Sequence, residues 1–144
     1  MTDTRILEVR GRRVWDSRGR PTVEAEIVLK CGARGRAIAP AGASMGSGEA
    51  VDLRDRGPTF GGLDVSGAVA AVNGELAKAL IGLDACDQTN VDNVLITTDG
   101  TPNKSRLGGN AIVATSMAVL HATANAVGLP LWQHIAGKIG RAHV

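Results

Sequence analysis

The sequence predicts an α+β domain in which a three-stranded antiparallel meander precedes about four helices. Three observations lead to this prediction. Apolar and polar residues alternate with a period of two in the first third of the 144-residue chain, which is typical of half-buried strands. After Gly62 the apolar residues recur every three or four positions, which is typical of helices. The strands and helices are segregated along the chain, which favours α+β over a parallel sheet.

The central strand has the clearest alternation. Its inward-facing residues are predicted to be Val23, Ala25, Ile27 and Leu29. A similar pattern begins upstream with Leu7 and Val9, and residues 36–39 form a short third run. The link 30–35 is short and contains glycine, as a hairpin connection requires.

Three longer helices and one short one are predicted in the rest of the chain. The first begins at an Asp64 N-cap, ends before Gly82 and buries one face, formed by Val65, Val69, Val72, Leu76 and Leu80. The second begins after Asp87, ends before Asp99 and turns three residues inward, Val91, Val94 and Leu95.

The third helix is predicted over residues 109–127, ended by Gly128 and Pro130, and is rich in Ala, Ser and Thr. Its buried stripe is predicted to consist of Ile112, Val113, Ser116, Met117, Leu120, Ala124 and Val127. A short helix over residues 131–136 closes the domain.

The composition argues against several classes of protein. The net charge of +2 is too small to imply a nucleic-acid partner, and the six arginines among the first twenty residues have no accompanying aromatic ladder. No apolar run reaches the roughly 20 residues that a membrane helix needs. Cys31 and Cys86 have no metal-ligand spacing and are expected to be reduced thiols. A cytoplasmic protein without a nucleic-acid or membrane partner is therefore expected.

Three sequence blocks resemble the N-terminal domain of enolase, in the right order and over roughly residues 5–136. They are Asp16–Glu24, Pro40–Gly46 and Asp99–Ile112. The resemblance implies the reversible dehydration of 2-phosphoglycerate to phosphoenolpyruvate, in glycolysis and gluconeogenesis, by a homodimer that uses Mg²⁺. It also places the catalytic groups in a C-terminal barrel, so that no catalytic residue is expected in this chain and the chain alone is expected to be inactive.

The second block is a small-residue loop with one hydroxyl group in its middle. Its composition alone predicts an ordinary connection, but the glycines predict mobility. The resemblance implies that this loop is a lid over the substrate and that its serine binds the second magnesium ion. The residues of this lid are Gly42, Ala43, Ser44, Met45 and Gly46.

The chain departs from the family pattern at two positions. Met45 stands where threonine is usual, which removes a hydroxyl group and adds bulk beside Ser44. Arg20 stands where asparagine is common. The resemblance also implies a subunit contact at Glu24 and Arg18, although a strand position such as that of Glu24 is ordinarily solvated.

Residues 1–137 are expected to form the enolase-like domain, and residues 138–144 fit the family poorly. This tail resembles the translation of a sequencing adapter, which suggests an artificial truncation before the barrel. Two alternatives remain open: a stand-alone, non-catalytic interaction module derived from enolase, and a related superfamily enzyme that acts on another carboxylate.

Overall fold

The strands precede the helices along the chain, as the sequence predicts. The computed structural model describes residues 2–139. Residues 140–144, which belong to the tail predicted over 138–144, lie outside the described residues.

The sheet is a meander of three antiparallel strands in the order β1-β2-β3. The strands are β1 (Ile6–Trp15), β2 (Pro21–Leu29) and β3 (Arg34–Ile38). All four predicted inward residues of β2 are fully buried. The predicted meander is therefore confirmed.

The inward orientation predicted for Leu7 is wrong. The pairing of β1 with β2 shifts register between Ile6 and Glu8, which places a bulge at Leu7. A bulge interrupts the alternation of inward and outward side chains, so the residues before it and after it do not follow one continuous pattern. Ile6 is consequently buried, whereas Leu7 is 46% exposed.

The first helical stretch is continuous but contains a π-helical turn. It consists of α1 (Ser66–Ala71), a π turn (Val72–Leu76) and α2 (Ala77–Leu80). Four of the five predicted inward residues are fully buried, and Val69 is partly buried against the core.

Asp64 does not cap this helix as predicted. The carboxylate of Asp55 accepts hydrogen bonds from the backbone amides of Ser66 at 2.9 Å and Gly67 at 3.0 Å. Asp64 instead forms an ion pair with Arg13 at 3.0 Å. The cap comes from a residue distant in sequence, which a local capping rule does not detect.

The second helix agrees with its prediction. Helix α3 (Gln88–Asp99) begins at Asp87, whose carboxylate accepts a hydrogen bond from the Asn90 amide at 3.1 Å. It ends at Gly100, whose φ of 74° is the left-handed conformation that glycine adopts readily. Val91 and Leu95 are fully buried, and Val94 is partly buried.

Helix α4 (Gly109–Ala126) lies against β2 and β3, and its buried face agrees only in part with the predicted stripe, since Ile112 and Ala124 are buried as predicted. The buried face consists mainly of small residues, including Ala111, Ala114, Thr115, Ala118, Ala122 and Thr123. Val113, Met117 and Val127, predicted to be buried, are 47%, 40% and 47% exposed.

Close backbone packing explains this orientation of α4. A Cβ atom on Gly35 of β3 would lie only 2.1 Å from the Ala122 nitrogen and 2.4 Å from the Ala118 carbonyl oxygen. Helix and strand approach closely because neither has a large side chain between them. Val113 and Met117 lie on the exposed side of the helix, whereas Ile112 and Val119 are buried.

The last helix, α5 (Leu131–Ile139), extends beyond its predicted end at residue 136. Among the described residues, no single helix is long and apolar enough to cross a membrane. Helices α4 and α5 meet that test only as a pair, by length and composition, and are bent by 96° relative to each other.

Candidate functional site

The small-residue loop is held at both of its ends. At the first end, the Ala39 amide donates to the Val23 carbonyl oxygen at 3.1 Å, and the Thr22 hydroxyl donates to the Ala39 carbonyl oxygen at 2.8 Å. At the second end, Val51 donates to the Asn103 carbonyl oxygen at 2.8 Å and accepts from the Gly109 amide at 2.7 Å. The segment 40–50 therefore spans two fixed points.

Between these points the loop is largely exposed and has no helix or strand. All five predicted lid residues lie together here, and the Met45 side chain is 76% exposed. Its one internal side-chain hydrogen bond among the described residues joins the Gly46 amide to Glu49 Oε1 at 2.8 Å. The loop is thus fixed at its ends and sparsely held in its middle, a pattern that permits local motion.

Asn110 strengthens the second end of the loop and was not identified as functional from the sequence. Its Nδ2 donates to the Leu53 carbonyl oxygen at 3.1 Å, and its Oδ1 accepts from the Leu53 amide at 3.2 Å. Its place in the third family-like block was the available signal, but a block match does not reveal a partner 57 residues away.

Two glycines allow this close approach. A Cβ atom on Gly108 would lie 2.7 Å from Leu53 Cβ, and one on Gly109 would lie 2.8 Å from Ala50 Cβ. Gly108 also has a φ of 102°, which disfavours any side chain. The start of α4 therefore carries glycine because the chain leaving the loop lies directly against it.

A buried carboxylate shapes the turn before Asn110. Asp99 is 2% exposed and accepts hydrogen bonds from the hydroxyl and amide of Thr101 and from the Leu107 amide. Burial raises the pKa of Asp99, but these hydrogen bonds together outweigh it, so its pKa lies below the usual value. An ionised Asp99 thus fixes the turn that leads to the loop anchor.

The loop lies between two grooves of different character. The groove on the α4 side has a volume of about 440 Å³, and Met45 lines it together with Ile38, Val113 and Met117. The other groove has a volume of about 590 Å³ and contains three arginines, Arg20, Arg54 and Arg56. Loop residues Ala41, Gly42 and Met45 line both grooves, so the position of the loop determines the shape of each.

Ser44 can serve as one ligand of a magnesium site but cannot form a site alone. Its exposed hydroxyl is the hard oxygen donor that Mg²⁺ prefers, and it can be reached from solvent. Among the described residues, however, no group of three or more His, Cys, Asp or Glu side chains is placed to hold a metal ion. The remaining ligands would have to come from substrate, water or another domain.

Glu24 is not a solvated residue, contrary to the expectation from its strand position. Its side chain is 13% exposed and forms an ion pair with Arg12 at 2.8 Å. The hydrogen bond with Glu24 raises the pKa of Arg12, with a smaller contribution from Glu26. Arg18 lies apart from this pair, exposed in the turn between β1 and β2, and its amide donates to Asp16 Oδ1 at 2.8 Å.

These features define a class of domain: a small α+β unit whose sheet is covered by helices on one face and which presents an anchored, exposed loop. Residues 6–135 match the family model described as "Enolase, N-terminal domain". The match covers most of the chain, and the chain belongs to this family. The resemblance seen in the three sequence blocks is confirmed.

Proposed function

We propose that this domain serves the enolase reaction, the reversible dehydration of 2-phosphoglycerate to phosphoenolpyruvate in glycolysis and gluconeogenesis. The loop Gly42–Gly46 would act as the lid over the substrate. The family match supports the reaction class. The observation that carries the lid role is the loop itself, which is fixed at Ala39 and Val51 and exposed between them.

The chain's own contribution would be a ligand and a cover. Removing a proton next to a carboxylate builds up negative charge, which bound Mg²⁺ neutralises. Ser44 would present its hydroxyl oxygen to the second ion when the loop closes. Gly42 and Gly46 supply the backbone freedom for closure, which also excludes water from the reacting groups.

The acid and base groups would come from the barrel with which the family combines this domain. Acid–base catalysis requires groups within hydrogen-bond reach of the substrate, and we infer that the lid alone does not provide them. We further propose that the complete enzyme is a cytoplasmic homodimer with Glu24 and Arg18 at the subunit contact. The Arg12 ion pair would then orient Glu24 before a partner arrives.

The test is a turnover assay with 2-phosphoglycerate and excess Mg²⁺. The 144-residue chain alone should form no phosphoenolpyruvate above a blank preparation, whereas the chain joined to an enolase barrel should form it. Turnover by the chain alone would contradict the proposed division of labour. An inactive fusion, with both parts shown to be folded, would contradict the proposed reaction.

One observation is also compatible with the alternative of a non-catalytic interaction module. Ile38, Val113 and Met117 are between 39% and 47% exposed and line one groove, an arrangement typical of a surface that a partner covers. An enolase barrel and an unrelated partner would both fit this observation. The fusion assay separates them, because only the first predicts turnover.

A further inference from the structure

A turn at residues 46–49 divides the exposed loop into two parts that are held differently. The Gly46 amide donates to Glu49 Oε1 at 2.8 Å, and the Glu49 amide donates back to the Gly46 carbonyl oxygen at 3.3 Å. Among the described residues, no hydrogen bond of residues 41–45 is found. The second part of the loop is therefore tied to itself, whereas the first part, which contains Ser44, is not.

The Glu49 carboxylate has no competing ion pair within residues 2–139. The nearby Asp52, in contrast, is paired with Arg54 at 2.8 Å. The carboxylate of Glu49 is thus available to accept from a backbone amide, in a charge-assisted bond that is stronger than one between neutral groups. Because Glu49 is exposed, solvent and salt reduce this advantage.

The same contact explains the glycine at position 46. A Cβ atom there would lie 3.3 Å from Glu49 Oε1 and 3.7 Å from Glu49 Cγ. A larger residue would press on the carboxylate that accepts from its own amide. At Gly48, in the same turn, nothing lies within 4 Å of an added Cβ atom. The close packing is specific to the pair of Gly46 and Glu49.

The turn shortens the part of the loop that is free to rearrange. Ser44 lies closer along the chain to this turn than to Val51, the second fixed end of the loop. With the turn intact, the loosely held segment ends at Met45, and without the turn it would extend to Ala50. A longer free segment has more arrangements, and ordering it costs more conformational entropy. Glu49 thereby limits the arrangements available to Ser44.

We propose that Glu49 is a positioning residue, which holds the turn 46–49 and so keeps Ser44 within reach of the second magnesium ion. The inference rests on the proposed function, because it takes Ser44 as a magnesium ligand. Glu49 acts through Gly46 and not through the ion. It raises the fraction of loop arrangements that can bind, and the apparent affinity for the ion changes in proportion to that fraction.

The first test measures order in the 144-residue chain itself. Backbone nitrogen relaxation should show that the amides of residues 47–49 are more ordered than those of residues 42–45 in the wild type. In Glu49→Ala the low order should extend through the turn. Solvent exchange of the Gly46 amide should rise about fivefold, the effect of losing one hydrogen bond. Unchanged order and exchange in Glu49→Ala would overturn the proposal.

Two further variants separate the hydrogen bond from other effects of the substitution. Glu49→Gln keeps an oxygen acceptor but removes the charge, and it should retain most of the order of the wild type. Ser47→Ala changes an exposed side chain in the same turn and should leave the exchange of the Gly46 amide unchanged. A loss of order in Glu49→Gln as large as that in Glu49→Ala would assign the effect to the charge and overturn the role of this hydrogen bond.

The second test measures the Mg²⁺ requirement of the domain joined to an enolase barrel. Glu49→Ala should raise the Mg²⁺ concentration needed for half-maximal turnover by up to about fivefold, and Glu49→Gln should bring it back close to the wild-type value. At saturating Mg²⁺ kcat should change less than about twofold, because excess ion selects the competent arrangement. A fall in kcat that saturating Mg²⁺ does not recover would contradict a positioning role.

The two tests distinguish failure of this inference from failure of the proposed function. Suppose that the wild-type fusion is active and that Glu49→Ala loosens the turn without changing the Mg²⁺ requirement. The proposed function then stands, and Glu49 is not a positioning residue. An inactive wild-type fusion, with both parts folded, would overturn the proposed reaction and this inference with it, even where order in the turn depends on Glu49.

Discussion

The side-chain amide of Asn110 pairs with both polar backbone groups of Leu53, donating to its carbonyl oxygen at 3.1 Å and accepting from its amide at 3.2 Å. Asn73 makes the same pair of contacts with Gly11 of β1, at 2.8 and 3.0 Å. In each case a helical side chain takes the place of a neighbouring strand. These asparagines attach exposed backbone to the helical layer without adding a strand.

Replacing Asn110 with Asp should loosen the second end of the loop and leave α4 folded. The carboxylate can still accept from Leu53 and suits the positive end of a helix, but it cannot donate to the Leu53 carbonyl oxygen. Loss of one hydrogen bond, about 1 kcal/mol, should speed local opening about fivefold. Amide hydrogen exchange at Val51 and Leu53 measures this.

Asn125→Asp is the matched control for that variant. Asn125 Nδ2 donates to the Arg34 carbonyl oxygen at 2.6 Å, near the other end of α4. Its effect should appear at β3 and not at Val51. Identical exchange at Val51 and Leu53 in the wild type and Asn110→Asp would mean that Asn110 does not anchor the loop.

Gly35→Ala should destabilise the domain strongly, by about 3 kcal/mol, because overpacking against backbone cannot be relieved by rotating a side chain. The added Cβ atom would meet the Ala122 nitrogen at 2.1 Å. Gly74→Ala is the control, since nothing lies within 4 Å of its added Cβ atom. That helical change should be neutral or stabilising by up to about 1 kcal/mol. Chemical denaturation distinguishes the two variants, and equal stability would disprove the close approach of β3 and α4.

Asp55 should make the free energy of unfolding depend on pH in the acid range. Hydrogen bonds from the Ser66 hydroxyl, the Gly67 amide and the Ser66 amide lower the pKa of Asp55 below its ordinary value of 3.8. Because the folded state has the lower pKa, its contribution is complete above about pH 3.8 and is lost as the pH falls through the folded pKa.

Asp55→Asn provides the comparison. At pH 6 the variant should be less stable by about 0.5–1 kcal/mol, a modest value because Asp55 is exposed. The difference in melting temperature from the wild type should shrink as the pH falls below 3.8. A constant difference between pH 6 and pH 2.5 would show that the ionised carboxylate is not the cap.

Ser44→Ala should weaken magnesium binding when the domain is joined to an enolase barrel. Loss of one oxygen ligand to a hard cation should cost about 1–3 kcal/mol, since water partly replaces it. We expect a higher Mg²⁺ requirement and lower turnover, with an unchanged melting temperature because Ser44 is exposed. Equal Mg²⁺ dependence in both proteins would leave the loop as a cover without a metal ligand.

Met45→Thr tests the neighbouring departure from the family pattern. Met45 lines the groove that contains Val113 and Met117, and the same change that removes its apolar side chain restores the usual hydroxyl group. Turnover of the fusion should rise if the methionine hinders closure. A fall in turnover would instead show that the thioether chain helps to hold the closed loop.

The periodicity of apolar residues predicted the strands and helices well, because that periodicity arises when one face of a strand or helix is buried. The strand β2 and the helix α3 follow their apolar residues and local caps closely. The face of α4 could not be predicted in the same way. Large apolar residues usually mark the buried side of a helix, but here the close approach to Gly35 favours small residues at Ala118 and Ala122, although Ile112 and Val119 are also buried.

Only the part of the candidate site that lies within a recognisable sequence motif was predictable from the sequence. The loop residues were found through the resemblance, whereas Asn110 and the groove that contains Arg20, Arg54 and Arg56 depend on contacts between distant parts of the chain. The capping role assigned to Asp64 failed for the same reason, since Asp55 reaches the helix across a turn. Sequence windows report local preference, and these features arise from tertiary packing.

The close packing of α4 against Gly35 and the exposure of its opposite side place different evolutionary constraints on the two faces of the helix. Where Gly35 meets the backbone of Ala118 and Ala122, there is no space for an added side-chain atom on the strand. Val113 and Met117 on the outer face are less constrained in size, because each remains substantially exposed. A lineage could therefore alter the surface that meets other molecules through many substitutions while inheriting an intact fold.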